Sequence, residues 1–88
     1  MQNLSIERSA APRNLRYARP AWRSFLRLGA GDRARVRAFA EAAPGLPPPR
    51  LLAPGLLSCR AGGALRIVYS ERAGVTTVLA LTGGSDGR

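Results

Sequence analysis

The chain has 88 residues, enough for one domain that buries roughly 60–65% of its unfolded surface, and its 45% apolar content excludes wholesale disorder. Its net charge is +9, and all 14 basic residues are arginine. One cysteine, Cys59, and no histidine exclude an internal disulfide, a cysteine metal cluster, most other metal sites and histidine-based acid–base chemistry, and no cofactor is implied.

Arginine presents a planar fork suited to phosphate or carboxylate, so the charge points to nucleic acid or to an acidic protein partner. Coding bias in a GC-rich genome is the competing explanation. It accounts for arginine in place of lysine, but not for the shortage of Asp and Glu. No apolar run reaches membrane-spanning length and no secretory signal is apparent, so the expected location is cytoplasmic.

Residues 1–12 lack sustained periodicity and read as a flexible arm, leaving 13–82 as a single domain and 83–88 as a flexible tail. From Arg13 to Arg19 the residues alternate, with Leu15 and Tyr17 on one side, which predicts a short strand. Pro20 is placed to open a helix at its first position, with Trp22, Phe25 and Leu26 on the core face and Arg23 and Arg27 opposite. Gly29-Ala30-Gly31 ends that helix. Asp32 is the expected N-cap of a second, whose apolar stripe is Val36, Phe39, Ala40 and Ala43 and which stops at Pro44-Gly45. Arg33, Arg35 and Arg37 fall on the solvated remainder of this helix and read as a general basic surface. Residues 44–55, PGLPPPRLLAPG, read as a stiff link back to the sheet edge, with a PxxP peptide ligand as the alternative.

The run from Leu56 to Thr82 predicts three strands joined by tight turns. Leu57, Cys59, Leu65, Ile67, Tyr69, Thr77, Leu79 and Leu81 recur with period two and are expected to form one apolar face. Three-residue loops, Ala61-Gly62-Gly63 and Arg72-Ala73-Gly74, keep apolar opposite apolar, pairing Cys59 with Leu65, Ile67 with Leu79 and Val68 with Val78. Arg66 then lies in mid-strand on the other face, where a charge is unexpected unless that face meets solvent or a ligand. The expected fold is α+β: a short N-terminal strand, a helical hairpin and a three-stranded antiparallel meander, with the helices packed on one face of the sheet.

In their order and spacing, LRYARPAWRSFLRL, RVRAFAEAAP and LRIVYS followed by VTTVLAL resemble the RelE/ParE superfamily of toxins from bacterial toxin–antitoxin modules, over about Asn14 to Leu81. The resemblance implies a toxin acting on ribosome-bound mRNA as an endoribonuclease, or on DNA gyrase, with an acidic antitoxin-like protein as partner. Arg66 matches the family's third-strand arginine, implied to stabilise phosphate charge in the transition state, and Arg60 a second basic position that orients the backbone. Arg33, Arg37, Arg50, Arg60 and Arg66 make up the candidate nucleic-acid-binding set. The chain departs from the RNase pattern in having no lysine and no histidine, and its tail supplies only Ser85, Asp86 and Arg88. Two alternatives remain open: a non-catalytic nucleic-acid-binding module, and a small phage or mobile-element inhibitor acting by protein contact on the same scaffold.

Overall fold

The computed structural model describes residues 13–84, so the expectations for the arm at 1–12 and for residues 85–88 lie outside it. Strand β1 (Asn14–Tyr17) leads into helices α1 (Arg19–Arg27) and α2 (Ala30–Ala40). Four strands follow: β2 (Arg50–Ala53), β3 (Leu56–Gly62), β4 (Leu65–Arg72) and β5 (Val75–Thr82). They form one five-stranded sheet in the order β1-β5-β4-β3-β2.

This architecture corrects the expected fold. The sheet is mixed, because β1 runs parallel to β5 whereas the other neighbours are antiparallel. It also gains a strand from the proline-rich link. Arg50–Ala53 turns back on β3 through Pro54-Gly55, with Gly55 at φ 74, as a Pro-Gly turn favours. The prolines before Arg50 and after Ala53 lie outside the paired residues, so they remove no donor from the ladder.

The registers differ from expectation as well. The first hairpin closes with Gly62 opposite Leu65, and Cys59 faces Ile67 while Ala61 is bulged out. The second closes on the two residues Ala73-Gly74, both at positive φ (49 and 78), with Arg72 opposite Val75. This is the primed-turn geometry that matches strand twist. A bulge at Leu79 then lets Tyr69 face Val78 and Ile67 face Leu81. The first part of β5 is therefore out of the expected phase: Thr76 and Val78 point into the core in place of Thr77, and Leu79 is 36% exposed, whereas Leu81 beyond the bulge is buried as expected.

The helices cover one face only, α1 over β5 and β1, and α2 over β3. Val36 and Phe39 of α2 are fully buried against Leu65, Ile67 and Tyr69 of β4, and the Phe39 and Tyr69 rings meet edge to face at 4.8 Å. Asp32 is not the cap of α2. Gly29 holds that position, and Asp32 lies buried in the first turn, where its charge suits the helix dipole and accepts from Arg35 at 2.6 Å. In α1 the fully buried residue is Ala21. Trp22 and Leu26, expected in the core, remain about half exposed because the short helix lies toward the β1 margin of the sheet. Among the described residues, no helix is long and apolar enough to cross a membrane.

Candidate nucleic-acid interface

The face of the sheet away from the helices follows from the alternation. On β4, Leu65, Ile67 and Tyr69 point to the helices, so Arg66, Val68, Ser70 and Arg72 point outward. Residues directly opposite one another share a face, which adds Arg60 (opposite Arg66), Ser58 (opposite Val68) and Leu56 (opposite Ser70) from β3. Arg50 of β2 lies opposite Ser58, and Arg16 of β1 lies beside Thr77. The open face therefore carries Arg16, Arg50, Arg60, Arg66 and Arg72 among small aliphatic and hydroxyl side chains. It carries no Asp or Glu among the described residues.

Three of these arginines converge. Arg50, Arg60 and Arg66 line a shallow concavity of about 250 Å³ with Ser58, Pro47 and Pro48. Ser58 forms its floor and is only 8% exposed. None of the three arginines has a carboxylate within ion-pair distance among the described residues. Arg60 and Arg66 face each other directly, a like-charge pairing that costs the sheet up to about 1 kcal/mol. An anion between them would turn that cost into a gain.

The remaining candidates lie on the helical layer. Arg33 is a strut between the helices: its Nη2 donates to the Leu26 carbonyl at 2.6 Å and its guanidinium sits 5.8 Å from the Phe25 ring centre. Arg37 is exposed beside Arg33, at a separate hollow formed with Leu28, Gly29 and Ala30. The structure thus brings Arg50, Arg60 and Arg66 together and places Arg33 and Arg37 elsewhere. Sequence reasoning missed Arg16, although its phase against Leu15 and Tyr17 placed it on this face, and Arg72, which was assigned to a loop.

The two phenols and the one thiol are turned inward. Burial pushes the Tyr69 phenol above its ordinary value, only partly offset by the nearby Arg13 guanidinium. Burial does the same to Tyr17, with Arg37 opposing, and to the Cys59 thiol, again with Arg13 opposing. All three stay protonated at neutral pH. Among the described residues the polar side chains of the open face are arginines, hydroxyls and Asn14. That composition suits anion binding and the stabilisation of negative charge. Comparisons of the chain with protein-family models, with curated proteins and with solved structures return no match.

Proposed function

We propose that this chain is a toxin-type protein of a bacterial toxin–antitoxin module that grips the sugar–phosphate backbone of ribosome-bound mRNA with the open face of its sheet. It acts by occupancy rather than by cleavage. The observation that carries the reading is the pairing of Arg60 with Arg66, with Arg50 beside them and no carboxylate on the face among the described residues. Planar arginine forks bind phosphate oxygens in pairs, and the floor of Ser58 adds a hydroxyl. Among the described residues the face offers arginine forks and hydroxyls and no carboxylate or imidazole to act as a base, a set that favours binding over strand scission. The order and spacing of the sequence segments that resemble RelE/ParE toxins support the toxin-type reading, and the paired arginine forks favour a sugar–phosphate target over gyrase.

The test is induced expression in a bacterium with separate readouts of translation and DNA supercoiling, alongside RNA binding by the purified protein. Translation should stop with supercoiling and mRNA length unchanged. Arg66→Ala should weaken RNA binding by roughly 10- to 100-fold, the worth of a charged hydrogen-bonded contact, without lowering the melting temperature. Arg66→Lys should recover only part of the loss, because lysine keeps the charge and loses the fork. Altered supercoiling with normal translation would overturn the mRNA target, and shortened transcripts would overturn binding without cleavage.

A further inference from the structure

Trp22 is the largest side chain in the protein, yet it is left 45% exposed. It is nevertheless held in place. Its indole stacks on Phe25 at 5.3 Å between ring centres and 13° between planes, and Tyr17 meets it edge-on at 5.3 Å. Phe25 is itself braced by Tyr17 at 5.7 Å and by the Arg33 guanidinium. The result is a half-exposed indole held in place by Phe25 and Tyr17.

Its position links it to the arginine face. Strand β1 is one edge of the sheet, with Arg16 on its open face, and α1 begins two residues later with exposed Arg19. Trp22 follows within the first turn, flanked by exposed Arg23. A polyanion leaving the open face around the β1 edge would pass Arg16 and Arg19 and arrive at the indole. Among the described residues the open face carries no aromatic ring, so it offers a base no aromatic platform.

We propose that Trp22 is a base-stacking platform for single-stranded RNA that wraps from the open face around the β1 edge. The inference rests on the RNA-binding reading above and adds to it a contact with bases. Stacking on an aromatic ring contributes roughly 1–3 kcal/mol per base and tolerates any sequence, because every base has a π-face. The surrounding charge favours a nucleic acid over a protein. Besides Leu26 and Pro20, the exposed residues of α1 around it are the cationic Arg19, Arg23 and Arg27, and two large apolar side chains fall short of the ~800 Å² per partner of a standard protein interface.

Trp22 is the sole tryptophan, so its fluorescence reports the contact directly. A short oligoadenylate should quench it saturably, whereas inorganic polyphosphate, a polyanion without bases, should bind without quenching. Trp22→Leu should weaken oligoadenylate binding roughly 5- to 150-fold, leave polyphosphate affinity unchanged and keep the circular dichroism of the parent. Trp22→Phe should recover part of the affinity. Oligoadenylate binding with unaltered fluorescence and full affinity in Trp22→Leu would overturn this inference and leave the proposed function standing. No binding of oligoadenylate at all would overturn both. Quenching by an acidic helical peptide, with oligoadenylate bound but silent, would assign the patch to a protein partner and overturn the platform.

Discussion

Arg13 is the residue around which the described chain closes. Its Nε donates to the Phe39 carbonyl at 2.9 Å, and its guanidinium lies 4.2 Å from the Phe39 ring centre and 5.6 Å from that of Tyr69. Its Nη1 meets the Glu71 carboxylate at 3.1 Å, and its backbone N–H donates to the Ala40 carbonyl. One side chain thereby ties the entry to β1 to the end of α2 and the end of β4. The magnitudes rank these contacts. The pair with half-exposed Glu71 is worth at most about 1 kcal/mol. The charged hydrogen bond to a carbonyl and the ring contact together are worth about 2 kcal/mol or more. Arg13→Ala should therefore cost about 2–3 kcal/mol in urea unfolding, and Glu71→Gln less than about 1 kcal/mol. Equal losses in the two variants would mean that the ion pair, not the ring and carbonyl contacts, holds the junction.

Among the elements, the β4–β5 hairpin carries an identifiable local conflict. Ala73 sits at φ 49 in a turn whose two central residues are both left-handed, a conformation that costs a non-glycine L-residue roughly 1–2 kcal/mol. Asparagine tolerates it better and is the favoured partner of a following glycine in such turns. Ala73→Asn should raise stability by about 0.5–1 kcal/mol, read as a higher urea midpoint with an unchanged slope. Lower stability would show that the turn leaves that geometry in solution. The concavity of Arg50, Arg60 and Arg66 should be unaffected, since Arg66 lies at the other end of β4.

For the molecule as a whole, composition makes alkaline stability legible. With no lysine or histidine, the side chains that titrate between neutral pH and about pH 11 are Cys59, Tyr17 and Tyr69. All three are raised in the fold by burial. A raised folded value means the unfolded chain loses its proton first. Stability is therefore fully present below the unfolded values and falls as pH rises through the folded ones. The urea midpoint should hold steady to about pH 8, then decline, first through Cys59 and further above about pH 10 through the tyrosines. Cys59→Ala should remove the first part of that slope. A midpoint that stays flat to pH 11 would mean that the thiol and phenols ionise freely in the folded state.

The sequence by itself determined which faces are apolar within each short segment. Leu65, Ile67 and Tyr69 alternate with Arg66, and Val36 and Phe39 recur at helical spacing, because the periods of strand and helix are properties of the local backbone. That is why Arg60 and Arg66 were legible as outward-facing. Only the tertiary structure decided which strands meet and in what register. A bulge at Ala61 or Leu79 shifts every later pairing by one residue yet leaves almost no local mark, which is how Leu79 and Thr77 were assigned to the wrong face. Strand β2 is a four-residue segment with no alternation of its own, and it exists because β3 offers an edge to pair with. The parallel joining of β1 to β5 likewise depends on residues about 60 positions apart. The same long-range closure separated Arg33 and Arg37 from Arg50, Arg60 and Arg66, brought Arg13 onto Phe39, and left Trp22 at the margin. Periodicity says which side of an element turns inward, but the inter-element packing that determines what covers it is a property of the assembled sheet and helices.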